Sequence, residues 1–175
     1  MYSNETKTIF VLLTERKDRF SRLCRSATRS QYTHASIGLE DQKRRFYGFL
    51  TKGGFRAESP KISAKLGDGD AQCALYKLEV DEASYEEIKA HINTFRENAS
   101  LYKYSYLGAL LCFLRIPHKF KRKYFCSQFI AELLISGKAV KLKKRPSVFR
   151  PDDFMREPQF QLCFQGDLMS LVAEI

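Results

Sequence analysis

Glycine and proline are scarce in this 175-residue chain, at 9 and 5 residues, too little turn chemistry for a linker-rich or collagen-like protein. No stretch repeats at a fixed period, which excludes a solenoid or tandem array. No cysteine pair has the C-x-x-C spacing of a zinc site or redox dithiol. The five cysteines, Cys24, Cys73, Cys112, Cys126 and Cys163, are an odd number at irregular intervals, a poor basis for a disulfide framework, and no metal or cofactor is expected. Free cysteine behaves as a small buried hydrophobe, so four of the five are expected in the core. The chain also lacks the roughly 20-residue apolar run that spans a bilayer. Its opening, Met1–Lys7, leads only into a short apolar stretch before Glu15, without the basic start and small-residue cleavage site of a secretory signal. A cytosolic protein is the expectation. Neither an RNA-recognition signature nor zinc-finger spacing is present.

What the chain does have is apolar bulk and positive charge. With 44% apolar and 29% charged residues, it suits one globular domain over residues 1–175. Thirty Lys and Arg against 20 Asp and Glu leave a net charge of +10. Such a surface attracts anionic polymers, nucleic acid or acidic membrane surfaces without naming one of them.

Periodicity divides the chain into elements. Ile9–Leu13 is a short apolar run suited to a buried strand. Phe20, Leu23, Cys24 and Ala27 then fall at helical spacing, with Arg22, Arg25 and Arg29 along the other side. Tyr32–Leu39 alternates, with Thr33, Ala35, Ile37 and Leu39 on one face and His34, Ser36 and Gly38 on the other. Glu40–Lys43 reads as a turn and Arg45–Leu50 as the second strand of a hairpin, broken by Gly53 and Gly54. Arg56–Asp70 reads as an irregular crossing loop that lines or covers a site, and Cys73–Val80 as a further strand. Asp81 is placed to cap a helix carrying Tyr85, Ile88, Ile92 and Phe95 and ending near Asn98. Tyr104–Ile116 predicts a buried helix ended by Pro117, and Tyr124–Ile135 another, with Gly137 as its stop. Phe160–Phe164 and Leu168–Val172 read as short strands. The succession predicts an α+β domain.

The sharpest local feature is YFCSQFIAELL, Tyr124–Leu134, which puts Cys126 in the first turn of a helix behind the cationic connector Lys119, Lys121, Arg122 and Lys123. Unpaired amides, the helix dipole and nearby cations all favour thiolate, enough to move a cysteine from about 8.5 into the range of about 3.5 to 7.5. The same amides are placed to hold an oxyanion, one such donor being worth roughly 3 kcal/mol. A thiol nucleophile needs a base, and His34 in YTHASIGLE has an uncrowded strand face, whereas His91 falls in an exposed helix pattern and His118 in the basic connector. The small Ser36 and Gly38 are expected to let the Cys126 helix approach His34.

YTHASIGLE after a helix, then FYGF and GGF, then YSYLGALL and YFCSQFIAELL, together resemble the circularly permuted branch of the papain-like cysteine peptidase and amidase superfamily. That branch is related to NlpC-type cell-wall hydrolases, YiiX-like proteins and lecithin:retinol acyltransferase. The resemblance runs from about Ile9 to about Asp153, and the order His34 then Cys126 is that of the permuted branch. It implies a permuted papain-like fold, an antiparallel sheet packed against helices with the nucleophile at a helix N-terminus. It implies Cys126 as nucleophile and His34 as general base. The family's third residue falls near Gly48, which has no side chain; Glu58, Tyr47 and Gln31 are the substitutes. Tyr32, Tyr47, Tyr124 and Gln128 are the candidates for substrate contact. The implied activity is a thiol hydrolase, amidase or acyltransferase acting on an amide or ester of a peptide, lipid or small molecule. The alternative is a weak or inactive papain-like module that holds an anionic partner.

Overall fold

The computed structural model describes residues 6–42 and 44–174. The chain start Met1–Glu5, Lys43 of the expected turn, and Ile175 lie outside them. The apolar run at Ile9–Leu13 becomes the middle of β1 (Thr6–Thr14). Joining it are β2 (His34–Leu39), β3 (Phe46–Leu50), β4 (Gly54–Glu58), β5 (Gln72–Asp81) and β8 (Gln161–Asp167), in the order β4-β3-β2-β1-β5-β8. Every neighbouring pair is antiparallel. The result is an α+β arrangement, a six-stranded sheet with helices.

Strand alternation gives the sheet two unequal faces. On one, Val11, Ile37, Phe49 and Leu78 meet α3 (Glu82–Glu97) and α5 (Cys126–Ser136) in the main core. Burying a side chain such as Phe129 or Ile130 there contributes about 1.5–3 kcal/mol. Asp81 does cap α3, its carboxylate accepting from the Ser84 amide at 2.8 Å. Gly137 follows α5 with an ordinary φ of −76°; its value is closeness, since a Cβ there would lie 2.4 Å from Ile88 Cγ1 on α3. The other face is smaller: Leu12, Phe46 and Leu75 pack against Ala64, Leu168 and Leu171.

Several expectations need correction. Arg56–Asp70 is not an irregular loop: β4 runs to Glu58, and α2 (Pro60–Ser63) continues into helical turns at Ala64–Asp68. Leu168 opens α6 (Leu168–Glu174) rather than a strand, its start held by Leu168 and Met169 amides donating to Ala71 and Gly69 carbonyls. Helix α1 (Arg19–Thr28), capped by Asp18 through the Ser21 amide and hydroxyl, turns Ser21 and Cys24 inward and leaves Leu23 and Ala27 exposed. Tyr104–Ile116 is not buried throughout. Tyr104 belongs to β6 (Lys103–Tyr104), which pairs in parallel with β7 (Lys123–Tyr124). The helix that follows, α4 (Tyr106–Phe113), buries only Gly108, Ala109 and Cys112 and exposes Leu107 and Leu110. Cys24, Cys73, Cys112 and Cys126 are buried, and Cys163 is exposed. Among the described residues, no helix is long and apolar enough to cross a membrane.

Candidate active site

Cys126 is the first residue of α5, entered from an extended Phe125 that supplies no side-chain cap. The first-turn amides therefore have no capping side chain to satisfy them, the condition under which a helix start attracts negative charge. Ser127 anchors the turn by donating from its hydroxyl to the Phe149 carbonyl at 2.6 Å. The Cys126 Sγ lies 4.0 Å from the carbonyl oxygen of Thr33, the residue just before His34. Helix α5 packs on the Ala35 and Ile37 face of β2, so the small residues beside His34 do not serve its approach, as the sequence had suggested. They face the other side, where a Cβ at Gly38 would lie 2.9 Å from the Phe46 ring. As the first residue of β2, His34 sits at the strand end where the helix tip arrives.

The His34 Nε2 is 2.8 Å from Glu58 Oε1, and the Cys126 thiol is close enough to help raise the pKa of the same ring. Of the three substitutes for a third residue, Glu58 is the one in contact. Glu58 reaches His34 across Gly48, where a Cβ would lie 2.7 Å from Oε1; the missing side chain is the space the carboxylate uses. The second carboxylate oxygen accepts from Arg16 Nη2 at 2.5 Å, and Arg16 Nη1 stands 3.8 Å from Asp68 Oδ2. Asp68, Arg16, Glu58 and His34 thus form one continuous polar chain.

Electrostatics follow from this geometry. Burial is the largest single effect and pulls the His34 imidazole toward the neutral form, with the Arg16 charge acting the same way; the Glu58 charge outweighs them only in combination with hydrogen bonding. With the Glu58 hydrogen bond and the nearby Cys126 assisting, the pKa rises from 6.5 to about 9. Burial alone would push Glu58 up; the charges and hydrogen bonds of His34 and Arg16 hold it below its ordinary value. Beside the nucleophile candidate, burial foremost pushes Cys24 and Cys112 up to about 12. Both stay thiols at neutral pH. The Tyr104 phenol is raised well above its usual value, by burial and then by its closeness to Cys126 and Cys24.

A narrow cleft between α1 and α4 ends at Cys126, with walls that include Phe20, Cys24, Tyr104 and Cys112. Tyr32 also lines it, its hydroxyl accepting from Gln31 Nε2 at 3.1 Å. The other three residues suggested for substrate contact lie elsewhere. Tyr47 is fully buried in the main core and bonds to Gln42. Tyr124 packs against Phe49 at 5.2 Å between ring centroids. Gln128 donates to Glu132 at 3.0 Å. The connector cations do not line the cleft either; Lys119 is taken by Glu132 at 2.5 Å. Arg16, Tyr104 and Arg150 were not singled out from sequence. Arg16 follows a buried strand with no periodic signal, and its role depends on where β4 ends.

No protein-family model matches the sequence, and no curated protein matches it. Among solved structures, the chain is similar to the metalloprotein YiiX of Escherichia coli O157:H7, a DUF1105 protein. The TM-score is 0.52 at 11% identity, over 91% of this chain and 97% of that one. That likeness is one of fold. Among the described residues, no three His, Cys, Asp or Glu side chains gather as a metal-ligand group, and the His34 ring is engaged by Glu58.

Proposed function

We propose that this chain is a cysteine-dependent hydrolase or acyltransferase of the circularly permuted papain-like type, with Cys126 as nucleophile, His34 as proton carrier and Glu58 as the residue that orients it. The observation that carries the reading is the His34 ring held by Glu58 at 2.8 Å, with the Cys126 sulfur at an uncapped helix start 4.0 Å from the carbonyl of the adjoining Thr33. With His34 protonated up to about pH 9, an imidazolium stands beside the Cys126 sulfur, whose reactive form is the thiolate. The thiolate attacks the carbonyl carbon of an amide or ester, and the oxyanion that forms is met by the Cys126 amide. The imidazolium gives its proton to the departing amine or alkoxide, leaving a thioester on Cys126. Neutral His34 then takes a proton from water or another acceptor, which attacks the thioester and expels the thiolate, restoring the imidazolium.

The same scaffold as a noncatalytic anion-binding module is the second reading, favoured by the tightness of the cleft: Cys126 is 4% exposed and the free space is about 30 Å³, room for one or two waters. An acyl-type thiol-reactive probe separates the two. Labelling of the wild type that disappears in a folded Cys126→Ala variant supports the hydrolase. Equal labelling of the variant refutes it, and labelling of neither favours the module.

A further inference from the structure

Beside the cleft lies a larger cavity of about 320 Å³ at the C-terminal ends of α1 and α4, walled by Arg29, Arg115, Lys144, Arg150 and Arg156 with Asp152 and Asp153. Thr28, Ser30 and Arg150 line both spaces, so the cavity adjoins the Cys126 cleft. Its volume is at the low end for small-ligand sites. Five cations face two carboxylates, and both carboxylates are already engaged. Asp153 binds Lys144 at 2.6 Å, Arg156 at 3.7 Å and the Arg150 amide at 2.8 Å. Asp152 accepts from the Gln31 and Tyr32 amides, each at 3.0 Å. Arg150 Nη2 donates to the Phe113 carbonyl at 2.9 Å, which leaves its charge uncompensated. Among the described residues, neither Arg29 nor Arg115 has a carboxylate in ion-pair reach. A cavity holding three guanidinium groups without counter-charges is built for an anion with several oxygens.

We propose that this cavity binds a phosphate or carboxylate group, and that the substrate cleaved at Cys126 carries such a group on the portion lodged there. The second clause rests on the hydrolase reading; the first does not.

The test is calorimetric titration of the full chain with pyrophosphate at low ionic strength. Arg29 and Arg115 both have positive φ, 53° and 58°, which Asn tolerates better than most residues, so R29N/R115N keeps the backbone. The double variant is expected to weaken binding by about tenfold or more, while K52N/K61N, which removes equal charge at exposed sites elsewhere, changes it less than about twofold. Equal affinity in R29N/R115N, or an equal loss in K52N/K61N, overturns the proposal. Co-sedimentation with vesicles of phosphatidylglycerol in phosphatidylcholine distinguishes the sources. Arginine-dependent binding to vesicles as well as pyrophosphate identifies a lipid headgroup as a ligand, and arginine-dependent binding to pyrophosphate alone identifies a soluble anion. For the substrate clause, esters with and without a terminal carboxylate are compared. The account expects a higher kcat/KM for the anionic ester and a ratio that falls toward one in R29N/R115N. If neither ester is cleaved while pyrophosphate binding is arginine-dependent, the hydrolase reading fails and the anion pocket stands.

Discussion

Glu58 is a single carboxylate claimed by two cations, Oε1 by His34 and Oε2 by Arg16, and the protonation of His34 depends on that arrangement. Replacing Glu58 by Gln removes the charge that holds the His34 pKa near 9. The expected result is a roughly 10²-fold fall in kcat/KM, with the alkaline limb of the pH–rate profile moved toward neutrality; an unmoved limb contradicts the assignment. The same pair has a stability signature. A group raised from 6.5 to about 9 on folding stabilises fully below about pH 6.5 and loses that contribution as pH rises through 9. The lowered Glu58 acts oppositely, contributing above its unfolded value of 4.5 and losing its effect in acid. Wild type should therefore exceed His34→Gln most between about pH 4.5 and 6.5, by on the order of 3 kcal/mol, with the gap closing toward pH 10 in urea melts. The placement of Cys126 at a helix start and of His34 on a strand was legible in sequence because both are local patterns. Glu58 was only one substitute among three, since its contact depends on the register that sets Phe46 opposite Glu58 and on the absence of a side chain at Gly48.

Elements bring these residues together by close approach, and glycines mark where. A Cβ at Gly48 would stand 2.7 Å from Glu58 Oε1, so Gly48→Ala should displace the carboxylate and reduce activity toward the level of Glu58→Gln while the circular dichroism spectrum is retained. Gly137→Ala tests packing instead: its Cβ would lie 2.4 Å from Ile88 Cγ1. Overpacking of that kind costs about 1–3 kcal/mol, read as a fall of about 2–4 °C in Tm per kcal/mol. Strands β1, β2, β3 and β5 and helix α3 were legible because their patterns are long and regular. The end of the chain was not, because Leu168–Val172 is too short for periodicity to separate strand from helix. Helix α4 misled for a different reason. Its apolar composition satisfied the pattern of a buried helix, while packing covered only the side holding Gly108, Ala109 and Cys112.

At the scale of the whole molecule, the excess of ten positive charges raises the local concentration of anions at every basic surface. Neutral-substrate turnover should be nearly insensitive to salt, whereas anionic-substrate kcat/KM should fall as added salt shortens the screening length. The decisive contrast, however, is between two thiols of this one chain. Cys126 is 4% exposed, whereas Cys163 is exposed, its pKa raised chiefly by partial desolvation of the sulfur. Limiting iodoacetamide at pH 6, followed by peptide mapping, sets chemistry against accessibility. An imidazolium-paired Cys126 is modified first and loses that priority in His34→Gln; modification of Cys163 first, with Cys126 inert until the protein is unfolded, contradicts the account.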